Sequence, residues 1–516
     1  MVAHTRGRAP ARVAFTLIFR KMMPRRVRMA LLFVVLSVIS TQELFAGGPG
    51  TSRNPLAILP FVLLLLSIAI LPVINKKSWG KWHPFIALGF ASITASYYIF
   101  SLDDSSSLLR MGMEYASFIL LIGSLFVIAG GIQIQTDRKS TPLANLLLLA
   151  AGAVISNLFG TTGAAMLLIR PFLHINRNRL KGFHIIFFIF VVCNIGGSLT
   201  PIGDPPLLLG YLRGIPFFWV SQNIWSAWIV ATGFLLFLFY VIDTREFRKG
   251  ALKNPGANGN RIVIRGLHNL FFLGLVVASL FVNDPPFLRE LIIIIAAVGS
   301  YVSTRKDIHL ENGFELGPIR EVAFIFFGIF ITMLPALQWL EANASVLGLM
   351  SPGQYYWGSG TLSSVLDNAP TYLNLLSASI GSFVDPKLLH EVSRMVQTHG
   401  VDLSSAGAGY SEEARKTFLM LANIHPQLVE HGSATTQDIS IAYMLAMHEL
   451  HLRAISVGTV FFGAVTYIGN GPNWIVKSMA ERTGIKMPGF FDYILKYSLP
   501  ILLPVFLLIW ILFFRA

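Results

Sequence analysis

Two polar, glycine-rich segments interrupt long apolar runs of the chain, and their sequences are nearly the same. Residues 197–206 read GSLTPIGDPP, and residues 463–472 read GAVTYIGNGP, so both follow the pattern G-x-x-T-x-I-G-[D/N]-x-P. A further polar break precedes each segment: SNLFGTTG at residues 156–163 and SSVLDNAP at residues 363–370. An internal repeat of this kind predicts two halves with related structure.

The sequence around these breaks is too apolar for a soluble domain. Hydrophobic residues make up 54% of the 516 residues and charged residues only 13%, against roughly 25% charged residues in soluble domains. The composition therefore indicates an integral membrane protein. The net charge of +14 comes from Lys and Arg between apolar runs, where they set topology, so we expect no nucleic-acid partner. The single cysteine, Cys193, excludes an internal disulfide and a Cys-based metal site.

Apolar windows of about 20 residues, enough to cross a membrane as a helix, follow the same order in each half. The first half, residues 49–242, has spans at about 56–74, 83–100 and 113–134, a broken stretch at 143–173, a broken span at 183–212 and an intact span at 219–242. A polar linker, residues 243–266, comes next. The second half, residues 267–516, has spans at about 267–283, 288–302 and 321–337, a broken stretch at 355–384, an insertion at 385–443, a broken span at 454–480 and a last span at 490–514.

The positions of Lys and Arg predict how these segments cross the membrane. Suppose that each broken stretch leaves the membrane on the side from which it entered. Most basic residues, including the cluster at 245–265, then fall on one side of the membrane, which the positive-inside rule makes cytoplasmic. Each half then has five true spans, an odd number, so the second half lies upside down relative to the first. We therefore predict an all-α integral membrane fold of two inverted repeats, each with five transmembrane helices, a re-entrant helical hairpin and a broken helix. The insertion should face outward and contain an amphipathic helix near residues 412–423.

The N-terminal segment, residues 1–48, is basic and then apolar. Its apolar stretch, residues 29–39, is too short to span the membrane. The small residues Ala46, Gly47 and Gly48 predict a signal peptide cleaved after Gly48. A retained, slightly longer first membrane helix is the alternative.

Four loops at bilayer depth require surrounding protein or a water-filled cavity, because backbone groups in hydrocarbon must be hydrogen-bonded. Residues that allow the chain to turn there are Gly160, Gly163, Gly203, Pro205, Pro370, Gly469, Gly471 and Pro472. Neutral oxygens suited to a small cation come from Asn157, Thr161, Thr162, Thr200, Asn368, Thr466 and Asn470. The structural alternative is that these small residues only help membrane helices to pack.

Two acidic residues, Asp204 and Asp367, lie in the breaks, one from each half. A charge near the bilayer centre costs at least about 2.5 to 3.5 kcal/mol, so acids there are rarely without function. No Lys or Arg lies inside the breaks. We expect both carboxylates to meet in a wet pocket and to bind either a proton or a metal ion, tentatively sodium. The alternative is that each acid only caps a half-helix.

Other residues give weaker predictions. Arg170 and Lys477 lie beside the first hairpin and on the second broken span, and they either reach the membrane surface or face an anionic substrate. Four His residues of the insertion, His390, His399, His425 and His431, have irregular spacing, which favours a solvated surface over a metal site. The chain has no G-x-x-x-x-G-K-[ST] loop for ATP, and it shows no convincing set of hydrolase catalytic residues. We therefore expect that ATP does not drive transport directly, that the protein is not an enzyme and that it needs no cofactor.

Four stretches of the chain resemble the ion transporter superfamily of NhaD-type sodium/proton antiporters, citrate and dicarboxylate carriers and arsenite permeases, and are most similar to its sodium/proton antiporters, sometimes labelled citrate-transporter-like. They are residues 160–171 (GTTGAAMLLIRP), 194–206 (NIGGSLTPIGDPP), 366–372 (LDNAPTY) and 467–473 (YIGNGPN). The resemblance implies inverted repeats, re-entrant hairpins, a homodimer and elevator-like alternating access. The family's dicarboxylate carriers have Ser-Asn-Thr at both hairpin tips. Here the tips contain Ser156-Asn157-Leu158 and Asp367-Asn368-Ala369, which favours a cation substrate, since an acid at a tip repels citrate.

The sequence therefore predicts a multi-pass secondary transporter of the inner (plasma) membrane that exchanges external protons for internal sodium. The alternative is a sodium- or proton-coupled carboxylate carrier of the citrate type, or an arsenite permease. The expected partners are sodium, protons, the lipid bilayer and a second copy of the chain. A channel-like or receptor role is a further alternative, which the repeated hairpins disfavour.

Overall fold

Apolar helices long enough to cross a membrane make up much of the chain. The computed structural model describes residues 55–136, 140–250, 262–282, 285–398 and 410–515. Among these residues, six helices have the length and composition of membrane spans: Pro55–Pro72, Ser105–Gly130, Pro142–Asn176, Phe217–Lys249, Gly317–Asn343 and Phe490–Phe513. This confirms the prediction of a helical membrane protein. The predicted signal peptide, residues 1–48, lies outside the described residues, as does His399.

Helices of the first half begin where a polar side chain or a proline can satisfy the free backbone groups of the first turn. Asn75, Asp104 and Thr141 each cap a helix by accepting a backbone N–H bond. The elements are α1 Leu59–Ile74, α2 Lys76–Phe100, α3 Ser105–Gly130, β1 Gln133–Thr136, α4 Pro142–Asn176, α5 Gly182–Val191, α6 Pro205–Leu212 and α7 Phe217–Gly250. The predicted broken stretch at 143–173 corresponds to α4, and the broken span at 183–212 to α5 and α6.

The second half begins with a short strand and short helices. Its elements are β2 Ile262–Arg265, α8 Asn269–Ser279, α9 Leu288–Ser303, α10 Lys306–Glu311, α11 Gly317–Asn343, α12 Pro352–Val365, α13 Asn368–Phe383, α14 Pro386–Gln397, α15 Glu412–Ile424, α16 Pro426–Glu430, α17 Thr436–Met447, α18 Glu449–Phe462, α19 Gly471–Arg482, α20 Phe490–Tyr493 and α21 Leu499–Phe513. The π-helical turn Ile494–Ser498 joins the last two helices. The broken stretch at 355–384 corresponds to α12 and α13, and the broken span at 454–480 to α18 and α19.

Two short strands join the halves, a feature that sequence reasoning missed. β1 and β2 pair antiparallel, with Gln133 opposite Arg265 and Thr136 opposite Ile262. β2 therefore occupies the end of the predicted linker. Next to it, Asn269 donates to the carbonyl oxygen of Gly131 at 2.9 Å, which links the start of α8 to the end of α3.

The insertion forms a small helical cluster. The predicted amphipathic helix is α15, and Ala414, Thr417, Phe418 and Leu421 form its buried face. Successive members of this set are three, one and three residues apart, which places them on one side of the helix. The insertion's described His residues, His390, His425 and His431, do not assemble into a group of metal ligands within the described chain.

The helix α5 is buried along most of its length. Every residue from His184 to Val191 is buried, so protein rather than lipid surrounds it. A helix that is apolar on all sides and buried on all sides belongs to the interior. This enclosure meets the condition for a chain break at membrane depth, because protein groups can pair with the backbone that the break leaves free.

Candidate functional site

The first predicted hairpin, residues 143–173, has its break at Gly160. Inside α4 this residue has φ of 72° and ψ of 159°, a backbone conformation that glycine adopts far more readily than residues with a side chain. A Cβ atom there would also lie 3.2 Å from the carbonyl oxygen of Ile202. The next residue, Thr161, donates its backbone N–H to the oxygen of Gly203 at 2.8 Å. The hairpin tip is therefore tied to the first broken span.

The first broken span stops after α5, makes a 3₁₀ turn at Ile195–Gly197 and restarts at α6. Gly203 lies so close to the preceding turn that a Cβ atom would be 1.9 Å from the oxygen of Gly197. No side chain fits in that space. The proline that opens α6, Pro205, suits a first helical turn because it lacks an N–H group that would need a partner there.

The second broken span has the same local structure. The 3₁₀ turn Gly463–Val465 follows α18, and a Cβ atom at Gly469 would lie 2.7 Å from the oxygen of Gly463. Asp204 has φ −144° and ψ 143° before α6, and Asn470 has φ −150° and ψ 140° before α19. The sequence repeat is therefore also a repeat of backbone conformation.

Matching threonines brace the two breaks in the same way. The Thr200 hydroxyl accepts from the N–H of Gly203 at 3.1 Å, and the Thr466 hydroxyl accepts from the N–H of Gly469 at 3.0 Å. Each hydroxyl also donates to a backbone oxygen of the neighbouring hairpin, to Asn157 at 2.6 Å and to Ser364 at 2.7 Å, respectively. Both predicted threonines thus hold a hairpin against a broken span, and their hydroxyl groups are already engaged.

Asp204 is the point where all four breaks meet. Its side chain is buried, with 1% of its surface exposed. Oδ1 accepts from the Thr161 hydroxyl and from the Asn470 amide, both at 2.9 Å. Oδ2 accepts from the Asn368 amide at 2.6 Å. One acid from the first broken span is therefore held by the first hairpin, the second hairpin and the second broken span.

All three hydrogen-bond donors around Asp204 are neutral. Within the part of the chain that the structure describes, no Lys, Arg or His side chain pairs with this carboxylate. A buried charge is costly unless an opposite charge accompanies it. Binding a proton or a cation would therefore remove the cost of this unpaired charge.

Asp367 lies beside this cluster but plays a different structural part. It is half-buried, and its carboxylate caps α13 by accepting the N–H of Ala369 at 3.1 Å. It directly precedes Asn368, whose amide donates to Asp204. The capping alternative is thus observed for Asp367. It is not observed for Asp204, whose side chain makes no cap bond to α6.

Two amide oxygens near the centre have no partner among the described residues. They are Oδ1 of Asn368 and Oδ1 of Asn194, and both side chains are fully buried. A buried acceptor without a donor carries an unfavourable desolvation cost, so such atoms call for an explanation. An oxygen of this kind is the type of ligand that a small, hard cation prefers.

The sequence did not single out two buried asparagines that fasten the broken spans together. Asn194 donates to Oδ1 of Asn473 at 2.7 Å. Asn473 donates in turn to the backbone oxygens of Gly463 and Thr466 at 2.8 and 2.9 Å. Asn470 adds a bond to the oxygen of Cys193 at 3.0 Å. Their positions in the sequence could have indicated them, since Asn194 and Asn473 flank the repeated motif at the edge of apolar sequence.

The remaining predicted polar residues lie near Asp204 without bonding to it. Asn157 uses its amide on the backbone oxygens of Ala153 and Gly196, and its Oδ1 accepts from the N–H of Leu199 at 2.8 Å. Thr162 lines a cavity of about 30 Å³ beside the first hairpin tip. Both residues therefore shape the surroundings of the cluster.

The remaining predicted helix-break residues lie just inside the helices rather than at their turning points. Gly163 follows the Gly160 turn within α4. Pro370 lies in the first turn of α13. Gly471 and Pro472 begin α19, and a Cβ atom at Gly471 would meet nothing within 4 Å. The backbone therefore requires glycine at Gly203 but not at Gly471.

The two basic residues considered for an anionic substrate are already engaged. Arg170 donates to the carbonyl oxygen of Glu311. Lys477 pairs with Glu481, and its ammonium lies 5.3 Å from the ring centre of Tyr467. Since Tyr467 follows Thr466 directly, Lys477 is the closer of the two to a break.

Comparison with known proteins agrees with this architecture. The family described as "Putative citrate transport" (CitMHS_2) matches residues 51–514, which is nearly the whole chain. No curated protein is similar enough to the chain to count as a match. The match includes both broken spans, both hairpins and the insertion. The chain therefore belongs to this citrate transport family, a family of membrane transporters of the ion transporter type.

Proposed function

We propose that this protein is a secondary transporter that exchanges sodium for protons, and that Asp204 holds either one. The observation that carries the proposal is a fully buried carboxylate whose three partners are neutral side chains. Such a group is stable with a proton or with a cation beside it, but not alone. Competition between the two at one site gives exchange.

The surrounding residues supply what a sodium ion needs. With a proton on Asp204, the three donors, Thr161, Asn368 and Asn470, stay bonded to its oxygens. With sodium present, the free oxygens of Asn368 and Asn194 are suitable neutral ligands. Asp367, at the second hairpin tip, adds a second negative charge that attracts a cation. Thr161 and Asn470 keep the carboxylate in place in both states.

The proposal includes the arrangement of the halves. In it, α4 and the pair α12 and α13 are re-entrant hairpins, and the two halves are inverted repeats. The matching backbone of the two broken spans supports a repeat. Movement of the four breaks as one body would expose Asp204 to each side of the membrane in turn. We further propose an inner (plasma) membrane location and a homodimer.

A second candidate is a citrate-type carboxylate carrier coupled to sodium or protons, and the family match favours it. Asp204 would then bind the coupling cation, and the substrate's carboxylates would need a separate positive group. Lys477 is the better candidate, because it lies next to the second break. Arsenite, which is neutral, would need no such group.

The test uses purified full-length protein in liposomes under an imposed pH gradient. Sodium, lithium, citrate and arsenite are added in separate runs, and internal pH is followed with a trapped dye. Exchange predicts that sodium collapses the gradient without citrate or arsenite. Asp204→Asn should abolish this collapse, whereas Asp385→Asn, in the insertion, should not. Gradient collapse by citrate, with no response to sodium alone, would replace exchange by the carboxylate carrier.

A further inference from the structure

A large cavity lies where the insertion meets both halves of the chain. Its volume is about 1570 Å³, and its wall includes Arg110, Glu114 and Ser117 of α3, Tyr211 and Leu212 at the end of α6, and Gln437 of the insertion. We refer to this cavity as the vestibule. It is large enough to hold many water molecules, since one occupies about 30 Å³ in the liquid.

A much smaller cavity lies beside Asp204. Its volume is about 30 Å³, and Leu125, Thr161, Gly203 and Leu208 are among its wall residues. That is room for a water molecule or a cation without its hydration shell. Thr161, whose hydroxyl donates directly to Asp204, is itself part of this wall.

The same two helices carry the walls of both cavities. On α3, Glu114 and Ser117 line the vestibule and Leu125 lines the small cavity. On α6, Leu212 lines the vestibule and Leu208, one turn earlier, lines the small cavity. Residues three or four apart share a helix face, so one face of α3 and one face of α6 each reach from the vestibule wall to the wall of the small cavity.

One buried side chain of α3 lies between these two sets of wall residues along the helix. Leu121 is four residues from both Ser117 and Leu125 and is 2% exposed. From Ser117 to Leu125 the helix rises about 12 Å, with Leu121 at the midpoint. An apolar side chain in such a constriction excludes water and therefore ions.

We propose that the vestibule and the small cavity are two parts of one access route to Asp204, and that Leu121 is the plug that closes it. The route opens on the side of the insertion and takes a small cation or a proton. This inference rests on the proposed function, because it specifies the path to the same site.

Polar contacts at the vestibule floor fit this role. Arg213 pairs with Glu114 at 3.0 Å, and Gln437 of the insertion donates to the carbonyl oxygen of Arg213 at 3.1 Å. His425 of the insertion also lies 3.3 Å from the oxygen of Gly214. The insertion thus holds the C-terminal end of α6, the helix that begins after Asp204, next to a charge pair whose Glu114 lies two turns of α3 from the plug.

The test measures how fast a membrane-impermeant thiosulfonate reagent reaches introduced cysteines in right-side-out vesicles. The native Cys193 is fully buried, so it should stay unlabelled. Ser433→Cys, on the vestibule wall of the insertion, identifies the side. We expect Ser117→Cys to react fast and Leu125→Cys at least about tenfold more slowly, because a packed interior excludes the reagent.

Removing the plug should open the route. Leu121→Ala combined with Leu125→Cys is expected to raise the labelling rate of Leu125→Cys about tenfold, because the cavity left by the missing atoms joins the two spaces. The matched control is Leu120→Ala, the same change on the neighbouring residue. Leu120 is five positions from Leu125 and does not share its helix face, so the rate should stay unchanged. If Leu121→Ala does not fold, Leu121→Val should give a smaller rise in the same direction.

Two outcomes would overturn the route: Leu125→Cys that labels as fast as Ser117→Cys with the plug in place, or a rate that Leu121→Ala does not raise above the Leu120→Ala control. These results are independent of transport. A rise in labelling without sodium-dependent proton movement would keep the route and reject the exchange function. Intact exchange without any rise would reject the route alone.

Discussion

Replacing Asp204 by Asn should remove the charge and keep the shape of the site. Thr161 and Asn470 both donate to Oδ1, and the amide oxygen of the new residue can accept both bonds. Asn368 donates to Oδ2, and its own Oδ1 has no partner within the described residues. A half-turn of the Asn368 amide would present that oxygen to the new NH₂ group. All three contacts are then kept, and we expect a stability change within about 1 kcal/mol.

Asp204→Ala gives the contrasting result. It leaves three buried donors, from Thr161, Asn368 and Asn470, without their acceptor. Each unsatisfied donor costs about 1 to 3 kcal/mol, so the loss should be at least about 3 kcal/mol in total. The pair of variants therefore separates the hydrogen-bonding role of Asp204 from its charge.

Thermal unfolding of purified protein in detergent, with and without sodium, measures both effects. Sodium at about 100 times its dissociation constant stabilises the native state by about 2.7 kcal/mol, which raises the unfolding temperature. We expect this shift in the native protein and none in Asp204→Asn, with potassium as the control ion. The reasoning is refuted if Asp204→Asn responds to sodium like the native protein, or if it is as unstable as Asp204→Ala.

Further predictions concern the scaffold. Gly203→Ala should prevent correct folding, because its Cβ would lie 1.9 Å from a backbone oxygen, whereas Gly471→Ala, with nothing within 4 Å, should be tolerated. The yield of monodisperse protein measures the difference between the two variants, and equal yields would contradict the packing argument. Asp243→Asn should cost about 3 to 5 kcal/mol, because it removes the charge that Arg179 pairs with in a buried network; an unchanged unfolding temperature would contradict this. Asn473→Ala should lower sodium-dependent transport by separating the broken spans, and full activity would show that this link is dispensable.

The positions of the breaks were predictable because they depend on local chemistry. Glycine and proline inside apolar runs interrupt a helix wherever they occur, and the structure interrupts the helices at Gly160, before Asp204, at Asp367 and before Asn470. An acid in such a break is costly unless it has partners, which is why the sequence alone indicates Asp204 as a site residue.

The partners of Asp204 could not be predicted in detail, because they come from segments far apart in the sequence. Nothing local to Asn368 or Asn470 says that their amides point at one carboxylate. The different parts of the two acids were equally hidden, since Asp367 caps a helix and Asp204 does not. Capping depends on side-chain direction, which spacing alone does not determine.

The same limit applies to the strands and to the vestibule. β1 and β2 are four residues each, and residues 137–261 separate them in the chain. Their pattern is too short to distinguish from a loop. The vestibule depends on how the insertion packs against α3 and α6. Sequence indicates an external insertion but not the surface that it covers.

Proton release on sodium binding tests the central claim most directly. Sodium is added to purified protein in weakly buffered solution, and the pH change is recorded with an indicator dye. If Asp204 holds either a proton or sodium, saturating sodium should release about one proton per chain near neutral pH, and Asp204→Asn should release none. Sodium binding without proton release, or equal release from Asp204→Asn, would contradict the account.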